Sequence, residues 1–269
     1  MKRAYITAAR LESIEAQLTP RDTAILQDVA RLRLVSGLQL ARLHFDTDSS
    51  ARRLSRLHLA RLVHVRVLMR LDRRVGGVRA GSDGYLYALD VVGRRLVAPD
   101  RTRWWPTPTP GDPFTRHTLT VAEVYVRLVE AARRSEFALV AFDGEPACWR
   151  RFHGPGGARQ VLKPDAFVIT AAGGFEDHCF VEVDMATEAT TRITAKARAY
   201  ISYLRSGREQ AASGVFPQVV WLVPNERRRA LVASALARID AEYWQLFAVR
   251  LLTDAVDGLV PDLVGGDAS

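Results

Sequence analysis

"VLKPDAFVITAAGGFEDHCFVEVDMATEATTRITAKARAY", Val161 to Tyr200, sets two apolar runs beside each other and places acids inside them. Asp165 follows Lys163 and Pro164 at the head of the first run. Glu182 and Asp184 interrupt the second, and Lys196 lies in the helix-like segment beyond. Short runs of β-branched and aromatic residues bounded by turn signals read as strands. Side chains alternate along a strand, so Glu182 and Asp184 share one face. Ionised carboxylates are costly to bury unless they are paired or bound to a metal. These acids therefore either sit at strand ends with ordinary polar partners, Asp184 with an arginine, or converge on a cation.

The pattern extends outward from this stretch. "FTRHTLTVAEVYVRLVEAARR" before it reads as a helix, and "FALVAF", "PDAFVIT" and "CFVEVDM" as strands. "TEATTRITAKARAYISYLRS" reads as a helix, "FPQVVWLVP" as a strand, "NERRRALVASALARIDAEYW" as a helix and "LFAVRLLT" as a last strand. An α-β-β-β-α-β-α-β order implies an α/β domain with a mixed sheet flanked by helices. "GPGGARQ" lacks the Gly-Lys-Ser/Thr end of a phosphate-binding loop and reads as a hairpin turn.

The N-terminal part differs. Thr19-Pro20 opens a helix with Ile25, Val29 and Leu32 on one face, and Ser36 caps a second. A third, "ARRLSRLHLARLVHV", shows an apolar stripe of Leu54, Leu57 and Leu62, with Arg52, Arg53 and Arg56 on other faces. Two β-like runs follow, joined by "DRRVGGVRAGSDG", which contains Arg73 and Arg74. "APDRTRWWPTPTPGDP" carries five prolines and reads as a linker. Its Trp104 and Trp105 are expected to pack rather than lie in water.

Charge separates the two parts. Residues 1–98 hold 18 Lys and Arg against 9 Asp and Glu, and residues 99–269 hold 20 against 21, which accounts for the net +8. A positive field confined to one third of the chain suits a polyanionic partner, although a solvated basic face has the same composition. Only Lys2, Lys163 and Lys196 are lysine, and two of the three flank the acids. No stretch of eighteen apolar residues exists and the first residues lack an apolar h-region, so neither a membrane span nor a signal peptide is expected. Cys148 and Cys179 are too few for a disulfide framework or a four-cysteine zinc site, and a cytoplasmic location with two buried thiols is expected. No His-x-His element is present, and Tyr200 and Tyr203, at helical spacing, are expected to pack.

Three helices followed by a basic hairpin resemble a winged helix-turn-helix, in which the third helix enters the major groove and the hairpin touches the backbone. The resemblance implies DNA binding through Arg52, Arg53, Arg56, Arg73 and Arg74. The Pro-Asp pair and Glu-x-Asp element resemble the PD-(D/E)xK nuclease superfamily, in which two acids and a lysine surround a divalent cation. That implies Asp165, Glu182 and Asp184 as ligands of Mg²⁺ or Mn²⁺, Lys196 as the catalytic lysine moved to the following helix, and Glu123 as a further acid. Asp184 stands where the motif has its lysine. "HTLTVAEVYVRL" and "VEVDMATE", with the whole arrangement from Leu18 to Thr253, resemble the replication-relaxation family of actinobacterial plasmids and integrative elements.

The expected organisation is a winged helix over 1–98, a linker over 99–113 and a nuclease-like domain over 114–269. Double-stranded DNA is the expected partner, and a homodimer is compatible with the sequence. Two functions fit: a metal-dependent DNA endonuclease or nickase, and a non-catalytic replication initiator or regulator on a decayed nuclease scaffold. Lys196→Met is expected to abolish nicking while leaving folding nearly intact.

Overall fold

The computed structural model describes residues 6–45, 49–71, 85–98, 112–135 and 137–260. The chain divides into two compact units, residues 1–126 and 127–269.

The first unit opens with α1 (Ala8–Glu15) and α2 (Pro20–Leu32), followed by the short strand β1 (Val35–Ser36). Then come α3 (Gly37–His44), α4 (Ser49–His64), β2 (Leu68–Leu71), β3 (Leu86–Leu89) and α5 (Val91–Val97). The helix starts follow local chemistry. Thr19 caps α2, with Pro20 in its first turn and Asp22 returning the hydrogen bond as a capping box. Ser36 and Gln39 do the same for α3. Ile25, Val29 and Leu32 are buried as their spacing requires. The three strands form an antiparallel sheet in the order β1-β3-β2. Gly93 in α5 lies so close to the Val67 carbonyl that a Cβ there would stand 2.2 Å from its oxygen.

Helix α4 is rotated relative to the expected stripe. Leu59 and Leu62 are buried together with Ser55, whereas Leu54 and Leu57 face solvent, Leu57 at 62% exposure. The rotation is set from α2. Asp22, fully buried, bonds His58 Nε2 at 2.5 Å and pairs with Arg61, both on α4. Burial works against the Asp22 charge. The hydrogen bonds from the Thr19 N–H, Arg61 and the Thr19 hydroxyl, with His58 beside them, outweigh it and hold the carboxyl below its usual range. The stretch carrying Arg73 and Arg74, and the tryptophans of residues 99–111, lie outside the described residues.

The long helix α6 (Asp112–Ala132) begins inside the expected linker, and the boundary between the units falls within it. Glu123 on α6 accepts from Arg42 at 2.7 and 2.9 Å and from Gln39 at 3.2 Å, all within the first unit. The second unit is therefore shorter than 114–269.

That second unit contains β4 (Phe137–Gly144), β5 (Arg150–His153), β6 (Arg159–Leu162), β7 (Ala166–Ala172) and β8 (Phe175–Val183). It continues with α7 (Thr190–Arg205), α8 (Arg208–Ser213), β9 (Gln218–Val223), α9 (Glu226–Leu236) and β10 (Phe247–Leu251). Five strands form a mixed sheet in the order β10-β9-β8-β7-β4. The pairs β4/β7 and β7/β8 are antiparallel, and β8/β9 and β9/β10 are parallel. The fold is thus the expected α/β arrangement of a mixed sheet flanked by helices. β5 and β6 form a separate hairpin, turned by a segment whose Gly156 and Gly157 have positive φ. On one sheet face Phe167, Phe180, Trp221 and Val223 pack against Ile193, Ala197 and Tyr200 of α7 and Val232, Ala235 and Leu236 of α9. Cys148 and Cys179 are free and buried. No helix among the described residues is long and apolar enough to cross a membrane.

Candidate active site

Alternation along β7 and β8 decides which side chains meet. Phe167 and Phe180 belong to the apolar layer under α7 and α9. Asp165 lies two residues before Phe167 and Glu182 two residues after Phe180, so both carboxylates belong to that same face. The ladder continues to both acids: the Asp165 N–H donates to the Val181 carbonyl, and Asp165 Oδ2 accepts from the Val183 N–H at 2.7 Å.

Lys196 completes the group from the helix. Its Nζ donates to Glu182 Oε2 at 2.8 Å and lies 3.1 Å from Glu188 Oε1. Tyr200, one turn further along α7, donates its hydroxyl to Glu182 Oε1 at 2.7 Å. Glu182 is 2% exposed and Asp165 is buried, while the Lys196 side chain keeps 27% of its surface in solvent, so the cluster opens to water at the lysine. Burial, and then the charge of Asp165, push Glu182 well above the usual carboxylate range, to about 7, against the pull of Lys196 and Tyr200. For Lys196, burial disfavours the charge, but Glu182, Asp165 and Glu188 outweigh it and hold the ammonium protonated. Burial and Glu182 together keep the Tyr200 phenol protonated.

Asp184 takes a different partner. Its carboxylate receives Arg228 of α9, with Nε at 2.8 Å and Nη2 at 2.5 Å, and its Oδ1 accepts from the Ala186 N–H at 2.7 Å. Arg228 also donates to the Glu188 carbonyl at 2.6 Å. This pair fastens the end of β8 and the loop after it to α9. Lys163 is turned to the Trp149 ring, 4.6 Å from its centroid, and Tyr203 donates to Glu209. Of the residues singled out in the sequence, the structure groups Asp165, Glu182 and Lys196. It holds Asp184 in an ion pair beside them and gives Glu123 its bonds to Gln39 and Arg42 in the first unit.

Glu188 is the member that sequence reasoning missed. It lies on the loop between β8 and α7, and its Oε2 is buried without a hydrogen-bond partner among the described residues. Glu182 and Glu188 thus share the Lys196 ammonium, with Asp165 beside Glu182, and Arg192 Nε stands 3.1 Å from Glu188 Oε1. Among the described residues no three His, Cys, Asp or Glu side chains converge tightly enough to cage a metal. Magnesium, however, is commonly held by one or two carboxylates with waters and substrate phosphates. Asp165 and Glu182, with the orphaned Glu188 oxygen on the same lysine, make a donor set of the kind such a cation takes.

The replication-relaxation family model matches residues 26–219, well over half of the chain, and the protein belongs to that family. No curated protein and no solved structure gives a match.

Proposed function

We propose that the protein acts on DNA in the replication or transfer of a plasmid or other mobile element, and that its second unit is a metal-dependent endonuclease or nickase of the PD-(D/E)xK kind. One observation carries this reading. Lys196 is fourteen residues from Glu182 in sequence and on a different element, yet its Nζ lies 2.8 Å from that carboxylate. The acid–acid–lysine set is rebuilt in space although the motif's lysine position holds Asp184.

Asp165 and Glu182 would hold Mg²⁺ or Mn²⁺, which neutralises phosphate charge and makes a bound water nucleophilic near neutral pH. The chain's own residues do the rest. Lys196 favours the ionised form of Glu182 against burial and presents an ammonium at the solvent edge, where charge develops on a phosphodiester under attack. Tyr200 fixes the other oxygen of Glu182 and excludes water from beneath it. The Asp184–Arg228 pair keeps the strand end rigid, as a two-carboxylate site requires.

The first unit supplies DNA binding in this reading. Its order α2-β1-α3-α4-β2-β3, with a small antiparallel sheet, supports a winged helix with α4 as the helix that enters the major groove. Arg52, Arg53 and Arg56 are exposed on α4, and Asp22 anchors the helix from the opposite side. The bond set also supports a second reading, a non-catalytic initiator or regulator: both Glu182 oxygens already have protein partners. Incubation of supercoiled plasmid with the full chain and Mg²⁺ or Mn²⁺ separates the two. Open circles support the nuclease, and plasmid that is bound but intact with every cation supports the regulator.

A further inference from the structure

A cavity of about 520 Å³ lies on the opposite side of α7 from Glu182. Ile193, Ala197 and Tyr200 form the buried side of that helix, while Arg198, Ser202 and Arg205 turn outward and line the cavity. Arg238, just past α9, closes one side with Tyr243, and His153 of the β5–β6 hairpin closes another. Arg205 is held in place by the Tyr243 hydroxyl, to which it donates at 2.7 and 2.9 Å, and lies 3.7 Å from Glu242. The guanidinium groups of Arg198 and Arg238 have no hydrogen-bonded or ion-paired partner among the described residues. The lining includes one acid, Asp240, against three guanidinium groups.

Three arginines around a cavity with hydroxyl groups between them match the oxygens of phosphate, which guanidinium binds with two parallel hydrogen bonds. Arg198 and Arg205 are seven residues apart, about 10 Å along the helix axis. That is about the axial rise of three nucleotides of one strand, so a strand laid along α7 passes both. We propose that this cavity holds backbone phosphates of the DNA, as an anchoring site distinct from the acidic cluster. The proposal rests on the DNA-directed reading above.

The test uses the full chain carrying Arg198→Ala and Arg238→Ala, two exposed side chains whose loss leaves no partner behind. Binding to a short duplex is followed by fluorescence anisotropy in chelator, from about 0.05 to 0.5 M salt, with thermal unfolding as the check on folding. Loss of two phosphate contacts lowers the slope of log affinity against log salt by about 1.8 and weakens binding on the order of 60-fold at 0.1 M salt. An unchanged slope and affinity in a folded variant overturns the proposal while leaving the DNA reading intact. Unchanged duplex binding, with calorimetric binding of inorganic pyrophosphate lost in the variant, assigns the cavity to a small phosphorylated ligand and equally overturns it. A wild-type chain that retains no duplex at low salt overturns the DNA reading itself.

Discussion

Replacing Lys196 by methionine removes the cation facing a buried acid. Glu182 is 2% exposed, its Oε2 is bonded to Lys196 and its other oxygen to Tyr200. Removing one partner of a buried pair costs about 3–5 kcal/mol when the remaining charge stays ionised. The cost must depend on pH. Glu182 already binds its proton more tightly folded than unfolded, with a value of about 7 against the ordinary 4.5. A carboxyl raised in this way contributes stability that is full below the unfolded value and is lost as pH rises through the folded value. Without Lys196 the folded value climbs further. Near pH 5 the acid is protonated in both proteins, and the gap shrinks to a packing difference under about 1.5 kcal/mol. Near pH 8.5, about 1.5 pH units above the wild-type value of about 7, the gap opens by up to about 2 kcal/mol, because the variant keeps a proton the wild type has lost. The pairing therefore predicts a stability cost for Lys196→Met above neutral pH, where the sequence alone implies nearly intact folding. Urea unfolding in chelator at the two pH values measures the gap, and adding Glu182→Gln should close it. Equal stability of Lys196→Met and wild type near pH 8.5, or a gap independent of pH, refutes the assigned pairing.

Three further outcomes follow from the first unit. Leu59→Ala should cost about 2–5 kcal/mol in denaturant unfolding, whereas Leu57→Ala should stay within about 0.5 kcal/mol, because only Leu59 is in the core. Asp22→Asn should cost about 1.5–3 kcal/mol at neutral pH by weakening the charge-assisted bonds from Arg61 and His58. The wild type should lose this contribution as pH falls through the lowered Asp22 value, so acid titrations of the two proteins should converge. The triple change Arg52→Ala, Arg53→Ala and Arg56→Ala should lower the salt slope of duplex binding by about 2.7 with unfolding unchanged; an unaltered slope moves the duplex off α4.

What was legible in the sequence is what local chemistry decides. The caps at Thr19 and Ser36 are written within four residues each, and the strands of the second unit are apolar runs between turn residues. The face shared by Glu182 and Asp184 follows from alternation alone, whereas Asp165 joins it through the register of β7 on β8. What escaped is set by partners distant in sequence. On α4, Leu54 and Leu57 compete with Leu59 for the core, and Asp22, more than thirty residues away, decides between them. Asp184 takes its partner from α9, forty-four residues on, which no strand pattern announces. Glu188 sits on a loop, where an acid has no periodicity to mark it. Nothing in the sequence of α6 says where along it one unit ends.

Cleavage by wild type and by Asp165→Asn, compared in one assay, decides whether Asp165 holds a catalytic cation. Asparagine can still accept from the Val183 N–H, and removing the Asp165 charge relieves rather than strands Glu182, so the variant should remain folded. With supercoiled plasmid and Mg²⁺ or Mn²⁺, the account predicts open circles from the wild type and intact plasmid from a variant that binds DNA equally well. Cleavage that survives in Asp165→Asn, or a wild type that binds DNA and cuts nothing with either cation, contradicts it.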